Sequence, residues 1–211
     1  MDLISDQVVS YLESLVPARH PEMMIMEKYA RKENFPIIGP VSGYLCYQIT
    51  RMIKAGKVFE LGSGYGYSTS WFARAVQENG GGTVHHVVWD ESLSRMARVH
   101  LKNLGFEKII QYHVGEAVAE LEVMNDKFDL IFNDINKEGY PASLPVINEK
   151  LRSGGILITD NILWHGQVFD ERDHAKSTEG VRDFTQEITS DSDWIVTLIP
   201  IRDGLIVALK K

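Results

Sequence analysis

The closing stretch "WIVTLIPIRDGLIVALKK", residues 194–211, holds two apolar runs separated by the short turn "RDG". Both runs are rich in Ile, Val and Leu, which suits strands packed into a sheet. So short a connection cannot carry the chain back to its starting edge, and the two strands must be antiparallel. From position 57 onward the texture upstream is different. Short apolar runs alternate with helical patterns: "KVFEL", "STSWFARAVQ", "TVHHVVW", "SLSRMARVHLKNLG", "KIIQYHV", "AVAELEVM", "FDLIFND", "LPVINEKLR" and "GILITD", then a last helix near 178–189. Strands separated by helices are the signature of a parallel sheet covered by helices on both faces. The two signals together predict an α/β chain with a Rossmann-like doubly wound sheet, mostly parallel and closed by a C-terminal antiparallel hairpin. Most nucleotide-binding sheets of this kind lack the hairpin.

A chain of 211 residues most simply forms one domain. Its first 55 residues read as helices. Leu3, Val8, Leu12 and Leu15 recur at about helical spacing, Pro21 suits the first turn of "PEMMIMEKYARKE", and a third helix runs from about Val41 to Lys54 after "FPIIGP". The expected organisation is a helical cap over 1–55 on an α/β core over 56–211. Met23, Met24 and Met26 read as core packing. Hydrophobic content of 44% and charged content of 24% are ordinary for a globular chain. A net charge of −7 argues against nucleic acid or an anionic membrane as partner, since both select a basic face. The single cysteine, Cys46, cannot form an internal disulfide and reads as a buried inert thiol, which favours a reducing, cytoplasmic setting. The N-terminus carries Asp2 and Glu13 and no basic leader, and no run approaches the roughly 20 apolar residues that span a bilayer.

"FELGSGYGYS" (59–68) follows the first strand and opens a helix. Gly62, Gly64 and Gly66 permit a sharp turn and close approach of a ligand, and the helix start favours negative charge. The spacing is G-x-G-x-G, whereas the dinucleotide fingerprint places its third glycine one residue later. Glu60, just before the first glycine, would repel a pyrophosphate and suits a cationic, amine-bearing ligand. S-adenosylmethionine carries a sulfonium, an ammonium and a carboxylate, which could meet Glu60, the helix start and Ser68. The turn Gly62, Ser63, Gly64 and Tyr65 is thus read as a cofactor loop. The second strand should end near the cofactor's ribose, where "HVVWDES" offers Asp90 and, as a flat face for the adenine, Trp89. At the end of the third strand the backbone of Gly115, Glu116 and Ala117 could reach the adenine edge.

"LITDNILW" (157–164) places an adjacent carboxylate and carboxamide, Asp160 and Asn161, inside an apolar run. A buried carboxylate needs a compensating partner. "LIFNDINKEGYP" ends the preceding strand with Asp134, and neighbouring parallel strands would bring these groups together beyond their carboxyl ends. Two carboxylates and a carboxamide are hard oxygen donors suited to Mg²⁺, with Mn²⁺ or Ca²⁺ as substitutes. The competing reading makes Asp160 and Asn161 turn and helix-cap residues, but it leaves the acid on the neighbouring strand unexplained. Lys137, three residues beyond Asp134, would lie beside such a cation. Charge repulsion there favours the neutral amine, a base.

These motifs, "FELGSGYGYS", "NDINKEGYP", "GGILITDNILWHG" and "LIPIRDGLIVALKK", together resemble the metal-dependent O-methyltransferases related to catechol and caffeoyl-CoA O-methyltransferases, bacterial members above all, over roughly residues 25 to 211. The resemblance implies a seven-stranded sheet and a homodimer. It implies a divalent metal on Asp134, Asp160 and Asn161, with Lys137 as general base and Asp134 also part of the catalytic and cofactor sites. Ile38, Gly39, Glu60, Gly62 and Ser68 would surround the methionine part of S-adenosylmethionine. The acceptor would be a hydroxylated aromatic small molecule, typically a catechol-like vicinal diol, with the N-terminal helices roofing its pocket. Segment 165–178 would shape acceptor choice, with Arg182 near it or in a helix-surface salt bridge. Val88 stands where the family usually has its ribose-binding acid, and Asn133 and Ile135 depart from the usual small or apolar residues in ways that would alter the pocket floor. Two other readings stand beside this one. A nicotinamide oxidoreductase needs the later third glycine and has no use for the acid cluster. A non-catalytic methyltransferase-like binding protein fits Val88 and Asn133 but not the metal-and-lysine set.

Overall fold

The structure, a computed structural model, describes residues 5–211; Leu3, one position of the first helical pattern, lies outside them. Three helices lead: α1 (Asp6–Leu15), α2 (Pro21–Glu33) and α3 (Gly39–Met52). Pro21 opens α2, and Asn34 ends it in the left-handed conformation at φ 52. Met23 and Met26, one turn apart, are buried, while Met24 is 55% exposed. The expectation that all three pack in the core fails at Met24, because a residue next to Met23 points about 100° away around the helix.

The core then alternates β1 (Lys57–Leu61), α4 (Tyr67–Glu78), β2 (Thr83–Val88), α5 (Glu91–Asn103), β3 (Ile110–Val114), α6 (Ala117–Glu122), β4 (Phe128–Asn133), α7 (Tyr140–Lys150), β5 (Leu151–Thr159), α8 (Lys176–Ser190), β6 (Trp194–Ile199) and β7 (Leu205–Lys210). The seven strands lie in the order β3-β2-β1-β4-β5-β7-β6. β1 to β5 are parallel, and β7 runs antiparallel to both of its neighbours. The hairpin's second strand, not its first, therefore joins β5. Burial explains the choice. Leu205, Ile206 and Ala208 on β7 are fully enclosed, whereas β6 leaves Ile195 and Leu198 exposed as an edge strand does.

Alternation along the strands splits the core in two. Val58, Leu130, Ile156 and Ile158 pack with Cys46, Trp71 and Phe72 on the α3–α4 side. Phe59, Leu61, Ile131 and Leu157 pack with Leu121, Ile147 and Phe184 on the α6–α8 side. Cys46 is fully buried, and burial holds its thiol pKa well above the ordinary range. β5 begins at Leu151, earlier than its apolar pattern suggests. The register against β4 slips between Phe128 and Leu130, at Gly154 and Gly155, and such a bulge breaks the alternation. Among the described residues, no helix is long and apolar enough to cross a membrane.

The strand tips are held close. Asp134 N donates to Leu61 O (2.8 Å) and Asp160 N to Asn133 O (3.1 Å). Gly62, at φ 88, has no room for a side chain, since a Cβ would stand 2.4 Å from the Asp134 carbonyl oxygen. Gly62→Ala is expected to lower folding stability by about 1–3 kcal/mol, the cost of a strained left-handed residue. Urea denaturation measures this, and an unchanged midpoint would refute it.

Candidate active site

A cleft of about 710 Å³ opens beyond the carboxyl ends of the strands, where the order reverses between β1 and β4. Gly62 and Gly64 form one wall, and a recess of about 40 Å³ continues beneath them, lined by Ile38, Ser63, Tyr65 and Ser68. Ser63 ties the turn to β2: its N–H donates to Val87 O (2.8 Å) and its hydroxyl accepts from Val87 N (2.9 Å). The Tyr65 hydroxyl donates to Met26 O (2.9 Å), which anchors the turn to α2. Gly66, at φ 91, starts α4 against Ala97.

Glu60 points from β1 into the protein rather than lining the cleft, and it is fully buried. The Thr69 hydroxyl donates to its Oε2, while Oε1 has no hydrogen-bond partner. Burial pushes this carboxyl up to about 7, against the downward pull of the nearby Ser68, Thr69 and Ser63 hydroxyls. Its Oε1 is thus a buried acceptor without a partner, just behind the glycine turn.

Along the cleft's other side stand Val88, Trp89, Gly115 and Ala117. Trp89 is 67% exposed, so it is no core aromatic and is free to offer its face. Two residues expected here are absent from the lining. Asp90 is the N-cap of α5, accepting from Ser92 N (2.6 Å) and Leu93 N (3.4 Å). Glu116 caps α6, accepting from Val118 N (3.1 Å) and Ala119 N (2.6 Å). Their carboxylates satisfy helix N–H groups that would otherwise have no partner.

The same cleft carries Asp134, Lys137, Asp160 and Asn161, and Asp134 also lines the recess under the glycine turn. Lys137, 8% exposed, donates to Asp134 Oδ1 (2.7 Å) and Ile135 O (3.1 Å). The Asp134 side chain keeps 27% of its surface open to the cleft. Burial raises its pKa, opposed by the Lys137 charge. Asp160 is pushed up to about 7, by burial first and then by Asp134. Its Oδ1 accepts from Asn161 N (2.8 Å) and its carbonyl oxygen from the Tyr140 hydroxyl (2.9 Å). Asn133 is elsewhere. Strand alternation turns it toward α7, where its Nδ2 donates to Ser143 Oγ (3.1 Å), so it does not alter the floor, whereas Ile135 lines the cleft.

Among the described residues, no three His, Cys, Asp or Glu side chains cluster to hold a metal. The set here is instead two acids and an amide. It fits a hard dication: two repelling carboxylates share one cleft, and Asp160 Oδ2 and Asn161 Oδ1 receive no hydrogen bond among the described residues.

The sequence reading did not single out Trp164, His165, Arg202 or Asp203, which also line the cleft. Arg202 crosses the mouth and donates to Ile37 O (2.8 Å), lying so close over Gly39 that a Cβ there would be 2.1 Å from its Nη1. The left-handed backbone of Gly39, at φ 69, explains glycine there, and Gly39 itself, unlike Ile38, is absent from the cleft lining. Arg202 stands at φ 53 in the "RDG" turn, a left-handed conformation uncommon outside glycine. Segment 165–178 is stitched by Arg182, which donates to Val168 O, Asp173 O, Gln167 O and Asp170 O and pairs with Glu179 (3.1 Å), so both sequence readings of that residue hold.

The seven-stranded sheet, with a glycine turn and an acid pole at one edge, is that of a Rossmann-like methyltransferase. Residues 22–211 match the family described as O-methyltransferase. A catechol O-methyltransferase of Niastella koreensis is 24% identical over 219 residues, covering 99% of this chain and 98% of that protein. Caffeoyl-CoA O-methyltransferase 2 of Populus trichocarpa is 26% identical over 219 residues, covering 96% of this chain and 88% of that protein. The crystal structure of TomG, an O-methyltransferase of tomaymycin synthesis from Streptomyces achromogenes in complex with SAM, aligns with a TM-score of 0.88 at 25% identity over 97% of this chain and 96% of that one. The chain belongs to the O-methyltransferase family, within the class I S-adenosylmethionine methyltransferases.

Proposed function

We propose that this chain transfers a methyl group from S-adenosylmethionine to one hydroxyl of a catechol-like vicinal diol, with a divalent metal held by Asp134, Asp160 and Asn161. One observation carries the reading. The glycine turn and the acid pole, with Lys137 beside it, line one 710 Å³ cleft, and Asp134 also lines the recess under the turn. Donor and acceptor could therefore meet inside a single enclosure.

The turn and the recess beneath it would seat the methionine part of the donor, and Trp89 would cover its adenine. Trp164 and Ile135 wall the acceptor end with apolar surface that suits an aromatic ring. A bound dication acts as a Lewis acid that makes an acceptor hydroxyl more acidic. Lys137 Nζ, as the neutral amine, would take the hydroxyl proton as the oxygen attacks the sulfonium methyl, and the neutral thioether would leave. Lys137 donates to Asp134 and lies 5.1 Å from the Tyr140 ring centre and 5.8 Å from that of Trp164, which supports this role. Holding two reactants in line supplies much of the rate, about 7–11 kcal/mol where orientation is good.

The test is an assay of hydroxylated aromatics with S-adenosylmethionine and Mg²⁺, with and without EDTA. Vicinal diols are expected to be methylated, and chelation to remove the activity. Turnover undiminished by EDTA would overturn the metal-assisted reading.

A further inference from the structure

Three residues at the exit of β5 have positive φ, which is costly for residues with side chains: Asn161 (φ 57), Trp164 (φ 43) and His165 (φ 54). The turn between β6 and β7 holds them there. Ile162 N donates to Gly204 O (3.1 Å) and Leu163 N to Asp203 O (2.8 Å). Gly204, at φ 80, packs so tightly that a Cβ would be 2.5 Å from Leu163 Cγ.

The Asp203 side chain is 12% exposed and divides its two oxygens between two partners. Oδ1 accepts from His165 N (2.5 Å), and Oδ2 accepts from Asn161 Nδ2 (3.2 Å). An ionised carboxylate can only accept. The Asn161 carboxamide must therefore give its amino group to Asp203, which leaves its carbonyl oxygen for the cleft. That oxygen is the one side-chain atom of Asn161 able to ligate a hard cation.

We propose that Asp203 is the positioning residue of the metal pole: it sets the Asn161 carboxamide carbonyl-first toward the cation and pins the strained 161–165 turn that carries it. The inference rests on the metal-assisted reading above and assigns a role to a residue outside the ligand set. Its sharpest consequence concerns an isosteric change. Asparagine at position 203 offers one oxygen where two are needed. Either His165 N or Asn161 Nδ2 then faces an amino group, and the second conflict is relieved when Asn161 turns over and presents its own amino group to the cation.

Mn²⁺ titration of the full chain, followed by the electron paramagnetic resonance of free Mn²⁺, tests this without any turnover. Asp203→Asn is expected to weaken Mn²⁺ binding about 10–100-fold, the usual cost of losing a group that orients a ligand. Asn161→Ala should weaken it as well, and the double variant should bind no more weakly than Asn161→Ala alone, because Asp203 acts through Asn161. Thermal melting in EDTA checks that each metal-free variant folds; if Asp203→Asn does not, Asp203→Ala takes its place in the same cycle. Wild-type affinity in the Asp203 variant, or losses that multiply in the double variant, would overturn the proposal. Failure of the wild-type chain to bind Mn²⁺ would overturn the metal-assisted reading first, and that result is read before any variant is made.

Discussion

Asp160→Asn is expected to cut methyl transfer about 100-fold or more at saturating Mg²⁺, and to leave a residual rate that EDTA no longer changes. The size follows from what a Lewis acid contributes, several kcal/mol, at a factor of ten for each 1.36 kcal/mol. Asparagine keeps the shape of the side chain and can still accept from Asn161 N, so the loop should stay in place. The same variant should leave the metal-free protein at least as stable at pH 8. Burial and the neighbouring Asp134 push the Asp160 carboxyl up to about 7 from 3.8. The folded state therefore holds a proton that the unfolded state has released between those values, so stability falls as pH rises through that window. Asparagine carries no such cost. Melting of both proteins in EDTA at pH 5 and pH 8 should show the variant gaining on the wild type at the higher pH. A variant that keeps its metal-stimulated activity, or that loses more stability at pH 8 than at pH 5, would refute this account.

The sheet was legible because its strands are short apolar runs separated by helical patterns, and the hairpin because so short a connection cannot make a crossover. What escaped was where tertiary context decides. Asp90 stands at a strand-to-helix junction, where an acid can bind a ligand or cap the helix. It caps, and "DES" at 90–92 carried that signal in Ser92, whose N–H completes the cap. Met24 was grouped with its neighbours by composition, although helical rotation separates it from them. The acid pole was legible because Asp134 and Asp160 end consecutive strands. Arg202 and Asp203 were read only as a local turn, yet the topology puts them at the site. β7 runs opposite to β5, so its first residue lies at the edge where β5 ends, with Thr159 paired to Ile206. The turn preceding β7 must then sit over the cleft. Its partners, Ile37 and Asn161, are far away in sequence, and no local pattern names them.

Lys137→Ala should lower kcat about 10²–10⁴-fold, the span that a positioned proton acceptor contributes, while S-adenosylmethionine affinity measured by calorimetry stays at the wild-type level. The residue is well placed to be held rather than to wander. Its backbone packs on α8, where Gly180 leaves no room for a Cβ (2.4 Å from Lys137 O), and its ammonium is gripped by Asp134 and the Ile135 carbonyl. That grip suggests a rival role, in which Lys137 only offsets the charge of the acid pole. Lys137→Arg separates the two. Guanidinium retains the positive charge and the hydrogen bonds to a carboxylate but does not give up its proton in a protein. A charge-balancing role predicts that arginine restores much of the rate. Proton transfer predicts that it restores none, and that the remaining activity of both variants rises with pH as the acceptor hydroxyl ionises in solution. Strong rescue by arginine would take the base away from Lys137 and leave the acid pole without a proton acceptor of its own.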